Sequence, residues 1–80
     1  MSKDQYSALL AIIVPQIIEC ILQNSNLNEK TAVSAFYKSK LYSELANEDL
    51  KLWHYSPRTL YAMYQDELMT GSYEYPEEAS

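Results

Sequence analysis

One glycine, one cysteine, one histidine and three prolines stand in a chain of 80 residues, and each scarcity closes off a class of structure. A lone glycine leaves almost no place for the type I′ turns of tight hairpins, whose central residues need positive φ. A lone cysteine, Cys20, allows neither an internal disulfide framework nor a multi-cysteine metal knuckle. One histidine, His54, cannot build a His-based metal site. Basic residues are few: six Lys and Arg against eleven Asp and Glu give a net charge of -5. That is the wrong sign for a protein held on nucleic acid by phosphate contacts. With 48% hydrophobic residues the chain is too apolar for wholesale disorder. Its length sets one domain with a thin core, folding of which buries about 60% of the unfolded surface.

Charge is divided unevenly. In residues 1–40, Lys3, Lys30, Lys38 and Lys40 outnumber Asp4, Glu19 and Glu29, for a net +1. In residues 41–80, Lys51 and Arg58 face eight acids, for a net -6. The apolar stretch from Ala8 to Leu22 holds Pro15, Gln16 and Glu19 and falls short of the roughly 20 apolar residues that cross a bilayer. Lys3 and Asp4 cancel before it, and no small-x-small cleavage site follows. A cytoplasmic protein without a membrane contact is expected, and a lone Cys within an apolar segment suits a reducing compartment.

The recurring apolar spacing is helical. The first helix is expected from about Gln5 to Gln23 or Asn24, capped by Asp4. At 100° per residue Tyr6, Leu9, Leu10, Ile13, Val14, Ile17, Ile18, Cys20, Ile21 and Leu22 share a wide arc, with Ile12 stranded among polar residues. Pro15, which has no N–H for the Ala11 carbonyl, either kinks or splits this helix. Asn28 caps the second helix, whose apolar stripe is Ala32, Val33, Ala35 and Phe36. Ser39–Ala46 follows as a short continuation of that helix or as a separate one, then a turn capped by Asn47 that presents Leu50, Leu52 and Trp53. Ser56-Pro57 starts the last helix; Leu60, Tyr61, Met63, Tyr64 and Leu68 are its apolar face, and Gly71 is its left-handed C-cap. The fold class is all-α: a single-domain bundle of three main helices plus one or two short ones over residues 1–71, with residues 72–80 as a flexible acidic tail.

Chemistry-bearing groups are sparse. His54 has only Ser56 as a nearby hydroxyl in sequence, and triads are assembled across a fold, not between neighbours; it is expected to bond a backbone carbonyl. Cys20 sits beside Glu19, which disfavours a thiolate, and reads as a buried structural residue. The acid pairs Glu48/Asp49, Asp66/Glu67 and Glu77/Glu78 lie in helix turns or the tail, not across a pocket. No phosphate loop or dinucleotide fingerprint occurs. No enzyme activity, cofactor or metal is expected.

Tyrosine is the unusual abundance, with eight in 80 residues. It offers large area with a polar tip, which suits the rim of a small core and also an interface. Tyr37, Tyr42, Tyr61 and Tyr64 are expected in the core or its rim, and Tyr55, Tyr73 and Tyr75 in solvent. Trp53 is expected to plug one end of the bundle.

The pattern Phe36-Tyr37-x-Ser39-Lys40-x-Tyr42 followed by Trp53-His54-x-Ser56-Pro57-x-x-Leu60-Tyr61 resembles a group of small uncharacterised bacterial proteins, mostly from Firmicutes. The resemblance covers roughly residues 9 to 71, with the Trp-His-x-Ser-Pro block its most specific part. It implies a bacterial, helical protein and no catalytic residues. The expected function is a protein–protein interaction module, antitoxin-like, an adaptor or an accessory subunit, with a partner that is another protein, basic in character, or a second copy in a homodimer. The candidate contact residues are Tyr55, Asp66, Glu67, Tyr73 and Tyr75. The alternative is a helical, nucleic-acid-related transcriptional regulator, for which Lys30, Lys38 and Lys40 are the only basic group.

Overall fold

In the computed structural model, which describes residues 2–75, an apolar helix α1 (Lys3–Gln23) is wrapped by α2 (Glu29–Tyr37), a short α3 (Lys40–Leu45) and α4 (Pro57–Thr70). Two 3-10 turns, Glu48–Leu50 and Leu52–His54, join α3 to α4. There is no strand among the described residues. The radius of gyration, 12.3 Å, is near the ~12 Å of a compact chain of this length. The all-α single domain expected from the spacing is the observed one.

Local chemistry sets most boundaries. The N-cap of α1 is Ser2 and not Asp4: the Ser2 hydroxyl accepts the Gln5 N–H at 3.2 Å, and the Gln5 side chain accepts the Ser2 N–H at 2.9 Å. This reciprocal capping box satisfies two donors, where a lone Asp cap would satisfy one. The helix runs unbroken through Pro15. Pro15 lies on the exposed side, so the Ala11 carbonyl that loses its donor is not buried. Asn28 caps α2 through Thr31 N–H at 2.8 Å. Ser56 caps α4 through Thr59 N–H at 3.1 Å, with Pro57 in the first turn. Gly71 ends α4 at φ 85°, a conformation that costs other residues 1–2 kcal/mol or so.

The core joins Ile13, Val14, Ile17, Ile18 and Ile21 of α1 to Ala32, Phe36, Leu41, Leu45, Leu52, Leu60, Met63 and Tyr64. α1 packs mainly on α4 and next on α2, while α3 closes the bundle against α4. Phe36 is fully enclosed, with Tyr64 edge-on at 5.4 Å and Tyr42 at 5.7 Å. The Tyr6 hydroxyl donates to the Leu45 carbonyl and ties the start of α1 to the end of α3; burial, then the charge of Glu48, raises its pKa.

Several side chains depart from their expected places. Tyr55 is buried in the core, at 8% exposure, because the extended backbone that caps the second 3-10 turn points it inward. Tyr37 is exposed at 47%, one position beyond the buried stripe of α2. Leu68 is exposed at 67%, and Met69 beside it at 83%, so the last turn of α4 keeps apolar side chains in solvent. Cys20 is only partly buried. Trp53 packs against the core without full enclosure.

Candidate functional site

The C-terminal residues expected to meet a partner are largely engaged within the chain. Tyr55 is in the core. Glu67 accepts the backbone N–H groups of Lys40 and Leu41, both at 2.9 Å, and so caps α3 from α4. Tyr73 packs against the core, and its hydroxyl donates to the Glu44 carboxylate. Tyr75 donates to the same oxygen at 2.6 Å. The two rings meet edge-on at 5.9 Å, and the Lys40 ammonium lies 5.3 Å from the Tyr73 ring centre. Hydrogen bonds from Tyr73 and Tyr75 hold the Glu44 carboxyl below its usual pKa. Burial and the Glu44 carboxylate push the Tyr73 phenol well above its own. Residues 72–75 are thus a strap laid on α3; residues 76–80 of the expected tail lie outside the described residues. Of the five candidates, Tyr75 is exposed but tied to Glu44, and Asp66 is exposed with its side chain used by neither the core, a cap nor the strap.

Apolar surface is left open along α1. Ile12 is 60% exposed, and Ala8, Ala11 and Pro15 on the same outer stripe are also exposed. Beside this stripe run two depressions that share Val14, Pro15 and Tyr37. One, of about 340 Å³, lies between α1 and α2 and adds Ile18, Leu22 and Val33, with Glu19 and Glu29 at its edge. The other, of about 480 Å³, reaches toward α3 through Leu10, Ala11 and Tyr42, with Ser7 at its end. Together they form a groove along α1. Tyr37 stands between its lobes, held by Tyr42 edge-on at 4.5 Å. The misplaced Ile12 signals the exposed stripe beside this groove but lines neither lobe; Tyr37 carried no signal, because its position on α2 fits either face.

Among the described residues, His54 and Ser56 are each engaged locally. The exposed His54 donates its Nδ1–H to the Lys51 carbonyl and leans on Tyr55 at 4.1 Å. Ser56 is used as a cap. Among the described residues no group of three or more His, Cys, Asp or Glu is placed to hold a metal ion. Lys30 and Lys38 flank a shallow depression on α2, whereas Lys40 turns to Tyr73, so the basic trio does not form one patch. α1 is long and apolar enough to cross a membrane by length and composition, with mean hydropathy 1.7. The full 21-residue helix meets this measure although the segment Ala8 to Leu22 fell short of it; six of its residues are buried in the core. Set against protein-family models, curated proteins and solved structures, the chain finds no match.

Proposed function

We propose that this chain is a protein-binding module of the bacterial cytoplasm, an adaptor or accessory subunit that acts by surface contact. The observation that carries this reading is the open apolar stripe and groove along α1. A domain this small gains most of its stability from apolar burial, yet it leaves Ile12 and the groove uncovered. Contiguous apolar surface of this kind marks contact sites. The aromatic wall Tyr37 supplies the sort of anchor that dominates interface energetics. A net charge of -5 disfavours a phosphate backbone.

The test is recovery of the tagged chain at native expression from its host, with nuclease treatment and mild cross-linking. A protein partner present in stoichiometric amount, retained after nuclease and cross-linked to α1 or α2, is the expected result. A labelled DNA duplex bound with steep salt dependence, and no protein partner, would overturn it in favour of a nucleic-acid regulator.

A further inference from the structure

We infer that the groove along α1 is a receptor for a basic amphipathic helix, and not for a second copy of this chain. This rests on the interaction-module reading and narrows it to one occupant.

The length of the groove suits a helix. From Ser7 to Leu22 is 16 residues of α1, or about 22 Å end to end, which is about four turns of a partner helix laid alongside. Its floor is apolar, at Val14, Ile18 and Val33, and its wall is aromatic, at Tyr37. Such a floor takes side chains repeating at i, i+3, i+4 and i+7.

Charge decides the occupant. The carboxylates at the α2 end are Glu19 and Glu29, both exposed, and no base lines either lobe. Lys30 lines the adjoining depression beyond Glu29, outside the groove. On the outer stripe of α1, Asp4 and Glu19 flank Ala8, Ala11, Ile12 and Pro15. A second copy of α1 laid antiparallel about Ala11 and Ile12 sets Asp4 against Glu19, and a parallel one sets Glu19 against itself. Both place acid on acid, which penalises self-pairing and favours Lys or Arg on the incoming face. A further acceptor points the same way. Pro15 has no N–H to give the Ala11 carbonyl, and both residues are exposed and line the same lobe. A helical donor is therefore missing in the lobe that holds no carboxylate, which leaves an acceptor there for a donor on the incoming helix.

The experiment titrates a synthetic helical peptide of about 16 residues, a leucine stripe flanked by lysines, into the isotope-labelled full chain and follows amide shifts. A second peptide carries glutamate in place of each lysine. The variants are Ala11→Arg, which fills one lobe with bulk and positive charge, Glu19→Lys with Glu29→Lys, and Asp66→Lys as a control on α4. Circular dichroism checks that each remains folded; all four sites are exposed. The expected result is shifts centred on Val14, Leu22, Val33 and Tyr37. Affinity falls by about tenfold or more for the glutamate peptide, for Ala11→Arg and for the double reversal, and holds for Asp66→Lys. Equal binding of both peptides would overturn the charge assignment. Shifts gathered at Leu68 and Met69 would move the site to α4 while leaving the interaction-module reading intact. A dimer in sedimentation that Ala11→Arg dissolves would make the second copy the occupant. Partitioning of α1 into phosphatidylcholine vesicles without peptide binding would overturn the proposal and the reading together, as would a monomer that neither peptide shifts.

Discussion

The Glu67 carboxylate of α4 accepts the backbone N–H of Leu41 at 2.9 Å, 26 residues back along the chain. Its other oxygen takes the N–H of Lys40. A helix leaves its first N–H groups without internal partners. In α3 the Ser39 hydroxyl takes the Tyr42 N–H and the Ser39 carbonyl the Ser43 N–H, and Glu67 takes the other two. A six-residue helix is too short to stand alone, so α3 depends on α4 for its start as well as its core contacts. Glu67→Ala should cost about 1–3 kcal/mol in urea unfolding, and Glu67→Gln, which keeps one acceptor, less. Asp66→Ala, on the neighbouring exposed residue, should stay within about 0.5 kcal/mol. Equal effects at the two positions would contradict the cap.

The strap predicts that the end of the chain contributes to folding. Truncation after Ser72 removes the packed ring of Tyr73 and both phenol donors to Glu44, and should lower stability by about 1–2 kcal/mol. An unchanged thermal midpoint would show the strap adds nothing.

The same contact carries a pH signature. The folded-state carboxyl of Glu44 lies below the ordinary value of 4.5. Its contribution is therefore fully present above that value and fades as pH falls through the lower, folded-state one. The Tyr73 phenol is raised above 10.0, so its share is present below that value and fades as pH climbs through the folded one. Tyrosine fluorescence and the thermal midpoint followed from pH 7 toward about 3 should change together in the native chain. Glu44→Gln should flatten the acid limb that the strap supplies. An acid limb unaltered by that change would place its origin elsewhere.

What was legible in the sequence was local. Asn28, Ser56-Pro57 and Gly71 each act within three or four residues, and the structure places each cap where the spacing does. The wide arc of α1 is equally local, a matter of 100° steps, and its centre is the core. The surroundings of the candidate contact residues were not local in this sense. Glu67 meets Lys40 and Leu41, and Tyr73 and Tyr75 meet Glu44, across 26 to 31 residues. No periodicity encodes such pairings, so acids and tyrosines that looked free were already partnered. Tyr55 was misread because its direction depends on an extended residue after a 3-10 turn, and composition predicts only that a turn is there. Ile12 was the exception: its place on the polar side of α1 marked the uncovered stripe in advance.

Trp53 separates packing from hydrogen bonding. Its Nε1–H is buried without a partner among the described residues, which carries a cost, while its ring packs on the core. Trp53→Ala should lose about 2–4 kcal/mol. Trp53→Phe keeps most of the ring and removes the unpaired donor, and should lose less than about 1 kcal/mol. A loss from Trp53→Phe as large as from Trp53→Ala would mean that the indole N–H has a partner after all.

Two left-handed residues should respond in opposite directions. Gly71 holds φ 85° with nothing near the place of a Cβ, so Gly71→Ala should cost about 1 kcal/mol from backbone strain alone. Lys51 holds φ 59° between the two 3-10 turns, so Lys51→Gly should be neutral or stabilising by up to about 1 kcal/mol. Thermal unfolding of both variants checks the pair, and a destabilised Lys51→Gly would show that the lysine side chain matters there.

The most direct measurement of the central claim is amide hydrogen exchange on the chain alone and in complex with the partner recovered from its host. Contact through the α1 groove predicts added protection at residues 10–22 and 33–37, with Asp66, Leu68 and Met69 unchanged. Protection confined to residues 66–75, with the α1 groove exchanging as it does in the free chain, would contradict it.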